Sequence, residues 1–222
     1  MAPSISSAYA ALQDISKKAN FTVKGDIGEE IVLALARKYQ KKYSSIVIHS
    51  YKYPYAVRKN GEPHIGNIKL TEKGEFYNET SESYEDEIDV LLITDYRIFI
   101  FEVKARTGKW VVTDDWITQN NKYEEKSPVC QVEKHARHFY HQIYEWIPNG
   151  RPEYIIPVLI FVDKATIDDS RSESELDYIN ITIADRFSKL VKEKDTPLEY
   201  AIDKEKLVTY LRKIGTLNKL YV

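Results

Sequence analysis

The chain has 222 residues, 43% hydrophobic and 30% charged, which excludes a disordered chain and fits one domain with elaborations. A single cysteine, Cys130, excludes an internal disulfide and any multi-cysteine zinc site. The formal charge of −2 excludes a polybasic nucleic-acid coat but leaves room for a local basic groove.

In chain order, Ser4 to Lys18 sets Ile5, Ala8, Leu12 and Ile15 at helical spacing, and a short helix is expected there. Met1 to Leu12 lacks the basic flank and long apolar centre of a secretory signal. No apolar run approaches the roughly 20 residues of a spanning helix. A cytoplasmic protein with no membrane partner is therefore expected. Gly25-Asp26-Ile27-Gly28 leads into Glu29 to Tyr43, where Ile27, Ile31, Ala34, Leu35 and Tyr39 recur at three- and four-residue steps and predict an amphipathic helix. The β-branched run Ile46, Val47, Ile48 predicts a first strand over Ser45 to Ser50. Residues 51–86, with two prolines, three glycines and an acidic cluster running into Glu87, read as a long excursion carrying a hairpin around Asn60-Gly61.

Strands return at Glu87 to Thr94 and Arg97 to Lys104, joined by Asp95-Tyr96, short enough for a hairpin. Another is expected at Lys109 to Thr113. A helix from about Pro128 to Trp146 has proline near its start and Pro148 and Gly150 beyond its end. The apolar run Ile155 to Val162 fits a strand covered on both faces. Asp177 to Ile183 reads as a strand, and Ala184 to Lys194 and Asp203 to Lys213 as helices. This order is mixed α/β, a central sheet flanked by helices.

The chemistry concentrates between Asp89 and Lys104. Asp89 interrupts an apolar run, Ile88 to Ile93, and Glu102 and Lys104 close another, projecting from the same side of their strand. A hairpin between the runs brings Asp89 near Glu102. Desolvated carboxylates in such a place need a cation, and hard oxygen ligands suit Mg²⁺ or Mn²⁺. A lysine beside that metal can position an attacking water or offset charge on a phosphate. A strand ending in Glu-x-Lys is also a common salt-bridged rim. A lone carboxylate in mid-run, Asp89, favours the metal site.

Asp89 followed by Glu102-Val103-Lys104 resembles the Asp…(Asp/Glu)-x-Lys signature of the PD-(D/E)xK nuclease superfamily and, more narrowly, the nuclease-related domain family, NERD. Gly25-x-x-Gly28-Glu29 at a helix start, Gly108 and Trp116 after the lysine, and Pro128-x-x-Gln131-x-x-x-His135 resemble further elements of that family, so the likeness covers about residues 25–145. It implies a restriction-endonuclease-like core of helix, three strands, helix and strand, and Mg²⁺-dependent cleavage of phosphodiesters in DNA. By position it implies Asp89 and Glu102 as metal ligands, the Val103 carbonyl as a further one, and Lys104 as the water-orienting cation. Glu29 is then the helix carboxylate near the metal, and Gln131 orients the site from the later helix. The chain divides on this reading into an N-terminal helical extension (1–24), the core (25–165) and a C-terminal α/β extension packed on the same domain (166–222). The excursion at 51–86 and a helical C-terminal tail after 165 depart from the family pattern.

Each of these residues also has a structural reading. Glu29 and Glu30 suit the start of a helix through the macrodipole alone. Gln131 and His135 share a helix face that is equally a surface stripe. His135, His138 and His141 step by three and drift too far round a helix to surround one zinc. Basic residues are scattered: Lys41-Lys42, Arg58-Lys59, Lys104, Arg106 and Lys109. Tyr51, Tyr53 and Tyr55 on an extended segment would form either a platform for bases or an aromatic edge or dimer contact. A metal-dependent deoxyribonuclease is the leading expectation. The alternative is a catalytically inactive module of the same fold binding nucleic acid or protein. A homodimer or a place in a larger DNA-processing assembly stays open.

Overall fold

The computed structural model describes residues 21–58, 69–70, 76–77, 81–119, 123–162, 164–171 and 178–222. The helix expected at Ser4 to Lys18 and the turn at Asn60-Gly61 lie outside them. The apolar periodicity of Ile27 to Tyr39 forms helix α1, Phe21–Tyr43. The helix begins at Phe21 rather than at Glu29, so Glu29 and Glu30 lie inside it and the macrodipole does not account for them. Strands β1 (Ile46–Arg58), β2 (Lys69–Leu70), β3 (Phe76–Tyr77), β4 (Ser81–Ile93) and β5 (Ile98–Ala105) follow. Next come β6 (Gly108–Val112), β7 (Trp116–Gln119), β8 (Tyr123–Lys126) and helix α2 (Pro128–Ile143). The chain ends with β9 (Ile155–Val162), β10 (Ala165–Asp169), β11 (Asn180–Ile183), α3 (Phe187–Lys194), α4 (Lys204–Ile214) and β12 (Thr216–Tyr221). Among the described residues no helix is long and apolar enough to cross a membrane.

Six strands form the central sheet in the order β11-β9-β5-β4-β1-β12, and β10-β6-β7-β8 form a smaller one. The β1–β4, β4–β5 and β1–β12 pairs are antiparallel, whereas β9 runs parallel to both β5 and β11. The parallel β5–β9 pair needs a crossover, and α2 supplies it. On one face Ala136, Phe139 and Ile143 of α2 and Leu207 and Leu211 of α4 pack on Ile48, Leu91 and Ile100. On the other, Ile27, Ile31 and Ala36 of α1 and Phe187 and Val191 of α3 pack on Val47, Val90, Phe99 and Phe101. The result is a mixed α/β sandwich with a helix layer on each side, consistent with a nuclease-like core.

Beyond the start of α1, two expectations change. Residues 51–58 and 81–86 are central strands rather than excursion, paired from Tyr51↔Ile88 out to Arg58↔Ser81. The residues after 165 supply both edges of the main sheet, β11 and the unexpected β12. The tyrosine platform is overturned with the first change. Tyr51 and Tyr53 are fully buried, edge-on to Phe139 beneath α2, where no base could stack. The side chain of Tyr55 lies outside the described residues.

The central strands also exchange faces partway along. On β1, Ile46 and Ile48 enter the α2 side of the core, and so do Tyr51 and Tyr53, out of step with strict alternation. On β4, Leu91 and Ile93 enter that same side and so does Ile88. On β12, Leu217 and Leu220, three apart, do likewise. The ladders keep register but skip positions 50, 89 and 218, and Ser50 holds φ +53°, in the left-handed region. One left-handed residue resets a strand's side-chain alternation, and its neighbours follow. Asp89 sits at this crossing.

Candidate active site

The β4–β5 ladder runs from Ile93↔Ile98 to Val90↔Phe101 and ends there. Beyond its end Asp89 Oδ2 accepts the Val103 N–H at 2.7 Å, a side chain taking the place of a strand partner. Glu102, on β5, faces α2 and is 3% exposed. Its Oε1 accepts from Lys104 Nζ at 2.6 Å, and Lys104 also donates to Gln131 Oε1 at 3.2 Å. The hairpin, the Glu-x-Lys pair and the α2 glutamine thus meet as the spacing suggests.

Glu29 reaches the same place from the opposite helix layer because α1 lies very close to the sheet at Gly28. A Cβ there would stand 3.0 Å from Val162 Cγ2, 3.3 Å from Ala105 Cβ and 3.4 Å from Val103 Cγ1. An open cavity of about 740 Å³ follows, lined on the α1 side by Glu29, Glu30 and His49 and on the α2 side by Gln131 and His135, with Asp86 and Asp89 between. A second recess of about 350 Å³ adjoins it through Gln131 and gathers Lys104, Arg106, Lys126 and Lys134.

His135 is the principal residue the sequence leaves undecided. It is a buried bridge rather than a surface stripe. Its Nε2 lies 2.9 Å from Asp86 Oδ1, and its Nδ1 lies 3.2 Å from Glu102 Oε2, close but without hydrogen-bond alignment. His138 Nδ1 meets Asp86 Oδ2 at 3.3 Å and Lys134 approaches the same oxygen at 3.6 Å. Tyr53 Oη donates to the His135 carbonyl at 3.3 Å and pins α2 over this network. Ser127 caps the helix by accepting the Val129 N–H at 3.3 Å. His49, Ser50, Asp86 and Glu87 also escape the sequence reading. The one available signal, the acidic run ending at Glu87, falls in a stretch that reads as excursion. Ser50 Oγ hydrogen-bonds Glu87 Oε1, and Lys52 lies 3.5 Å from Glu87 Oε2.

Electrostatics divide the site. Burial alone would lower the His135 pKa, but its contacts with Asp86 and Glu102 raise it to about 9, so the ring carries a charge. Burial would raise Glu102, yet His135 and Lys104 hold it below the usual carboxylate range. Asp86 is likewise held down against its burial, by His135, His138 and Lys134. Asp89 goes the other way. Burial, then Glu102 and Glu29, push it well above the usual range, and the Val103 N–H and Lys104 only partly oppose them. Burial, then Glu87, Asp26, Glu102 and Glu30, raise Glu29 to about 7. The Glu29–Asp89 side is therefore short of positive charge.

A divalent cation would supply that charge. Among the described residues, no group of three or more His, Cys, Asp or Glu side chains is placed to hold a metal ion by itself. Mg²⁺ asks for none, since it keeps several waters and takes one or two carboxylates. Oxygen donors with repelling charges at an open cavity fit Mg²⁺ or Mn²⁺ on that ground.

The family model of the nuclease-related domain (NERD) matches residues 24–162, from α1 through β9. No curated protein and no solved structure matches the chain.

Proposed function

The chain belongs to the nuclease-related domain family, and from that premise we propose that it hydrolyses phosphodiester bonds of DNA in a metal-dependent reaction. The observation that carries this reading is the mouth of the β4–β5 hairpin, where Asp89 grips the Val103 N–H beside the Glu102–Lys104 pair. Asp89, Glu102 and the Val103 carbonyl would hold Mg²⁺ or Mn²⁺, which when bound lowers the pKa of a water and offsets phosphate charge. A residue in a strand presents its N–H and C=O to the same edge. The Val103 carbonyl therefore faces the gap beyond the last ladder pair, toward Asp89.

Lys104 is the cation whose charge opposes the upward shift at Asp89. Two acceptors, Glu102 Oε1 and Gln131 Oε1, fix its ammonium, which keeps a third proton for a water or a phosphate oxygen. Gln131 thereby acts through Lys104, as a positioning residue. Glu29 adds a third carboxylate from α1. The recess holding Lys104, Arg106, Lys126 and Lys134 adjoins this point. It gives the neighbouring phosphates of a nucleic-acid strand a place to lie, despite the chain's slight net negative charge.

Supercoiled plasmid, linear duplex and single-stranded DNA, each with Mg²⁺, Mn²⁺ or chelator, test this reading. Cleavage is expected with metal, and Asp89→Asn or Lys104→Ala should reduce it roughly 10²–10³-fold or more, the scale on which lost transition-state contacts act. Cleavage indifferent to chelator, or retained in both variants, would remove the assignment. Mn²⁺ uptake without cleavage of any DNA would favour the inactive binding module.

A further inference from the structure

His49, on β1, is a buried polar side chain that the nuclease mechanism does not use. The residue is 7% exposed, and neither ring nitrogen makes a hydrogen bond. An unsatisfied imidazole in a protein interior is costly and rarely kept without a ligand. It lines the acidic cavity, with Nε2 3.4 Å from Glu29 Oε2. Burial, then Lys219, lower its pKa against the opposing pull of Glu30 and Glu87, a shift in the direction that suits a metal-binding imidazole. The 3.4 Å contact thus sets an imidazole nitrogen against a carboxylate oxygen without hydrogen-bond alignment.

That separation has a geometric reading. Two donors about 2.1 Å from one cation, at octahedral or tetrahedral angles, stand about 2.9–3.4 Å apart. We propose that His49 Nε2 and Glu29 Oε2 form a second divalent-cation position beside the Asp89–Glu102 one, taking a nitrogen-tolerant ion of the Zn²⁺ or Mn²⁺ kind in preference to Mg²⁺. Imidazole nitrogen suits zinc and other transition ions, whereas Mg²⁺ seeks oxygen alone. Glu87 and Asp89 line the same cavity and add negative charge. The nearest opposing charge, Lys219, is taken up by Glu30, its Nζ 3.5 Å from Oε1. The left-handed turn at Ser50 sets the side chain's direction. His49 precedes the exchange of faces and so points to the α1 layer, while Tyr51, after it, points to α2.

The inference builds on reading the cavity as a hydrolytic metal site, and its test separates the two. Full-length protein stripped with chelator is titrated with Zn²⁺ alone, then Mg²⁺ alone, by calorimetry. Histidine ring nitrogens are followed by NMR in ¹⁵N-histidine-labelled protein. Zn²⁺ should move the His49 Nε2 resonance, and Mg²⁺ should not. His49→Gln should weaken one Zn²⁺ site by no less than the roughly 10–100-fold that loss of a mere outer-shell partner costs. Asp89→Asn, which removes a neighbouring charge but neither donor, should weaken that site less than the His49 variants do, and an equal loss would overturn the assignment to His49. His49→Phe, which keeps a ring but no donor, guards against a folding artefact and should behave as His49→Gln does. Zn²⁺ affinity unchanged in both His49 variants, or ring signals indifferent to Zn²⁺, would overturn the proposal. A His49-dependent Zn²⁺ site with no Asp89-dependent Mg²⁺ site would instead uphold it and count against the nuclease reading.

Discussion

Glu102 and Asp89 lie on adjacent strands of one hairpin, yet the fold gives them opposite surroundings. Glu102, on the α2 side, has a cation near each oxygen, Lys104 at Oε1 and His135 at Oε2, and is held ionised. Among the described residues Asp89 accepts the Val103 N–H and feels the Lys104 charge, which together only partly offset burial and the repulsion of Glu102 and Glu29. The α2 half is a finished ion network that stabilises its own charges. The α1 half is finished only when positive charge arrives from outside. One half therefore sets the geometry, and on the proposed function the other would supply the affinity for a metal.

Removing a charge from each half should therefore have opposite effects in chelator. His135→Ala leaves Asp86 and Glu102 buried without their shared cation, and breaking a buried pair costs about 3–5 kcal/mol. The lower end, about 3 kcal/mol, is expected because Lys104, Lys134 and His138 remain nearby. Urea unfolding at neutral pH reads this directly. A loss under about 1 kcal/mol would mean that the bridge is not a structural element.

The two halves also differ in pH dependence. In the metal-free protein, His135 is raised from 6.5 to about 9, so its contribution is full below 6.5 and disappears as pH rises through about 9. Asp86, held down, contributes above its ordinary 3.8, and that contribution is lost on acidification. Glu29, raised from 4.5 to about 7, contributes fully below 4.5 and loses that contribution as pH climbs through about 7. Metal-free wild type should thus weaken between those two values, by on the order of 1–2 kcal/mol, and Glu29→Gln should make that slope shallower, leaving the part of the same sign that raised Asp89 contributes. Denaturation midpoints at several pH values, with and without Glu29→Gln, measure it.

A smaller effect of the opposite sign is expected at Asp89. Asp89→Asn removes a charge that burial and two carboxylates disfavour, so in chelator it should stabilise the fold by about 1 kcal/mol. Saturating Mg²⁺ should reverse the order, stabilising wild type by mass action and leaving the variant unmoved. Thermal melts with and without metal give all four numbers. A variant less stable than wild type in chelator would show that the Val103 N–H bond outweighs the repulsion.

The hairpin and its triad were legible in the sequence because Asp89 is a lone carboxylate inside an apolar run, which sets the Glu102–Lys104 pair, by itself an ordinary strand rim, apart from a surface salt bridge. Helix α2 was legible through Pro128 and the turn residues beyond it. The Asp86–His135 bridge was not. Asp86 lies in a segment whose prolines, glycines and acids read as loop, although 81–86 is paired strand. Nor was β12, whose Leu217 and Leu220 are three residues apart and mimic helical spacing. They share a core face only because position 218 falls in the exchange of faces. The convergence on the α1 side was hidden for the same reason. Strict alternation from Val47 and Val90 gives no hint that Tyr51 and Ile88 turn to the opposite layer.

Ser50 tests that last point with the smallest energy. A non-glycine residue in the left-handed region costs roughly 1–2 kcal/mol, and Ser50 offsets part of it through its bond to Glu87. Glycine would remove the cost and the hydrogen bond together, so Ser50→Gly should change stability by less than about 1 kcal/mol and keep cation binding at Asp89. Ser50→Val adds a β-branched side chain that the left-handed region resists, and it should weaken both. The pair separates conformation from contact. If glycine is tolerated and valine is not, the site depends on the backbone reversal at Ser50. If glycine fails as valine does, the dependence lies in the hydroxyl, and the exchange of faces between the two helix layers is held by the Glu87 bond instead.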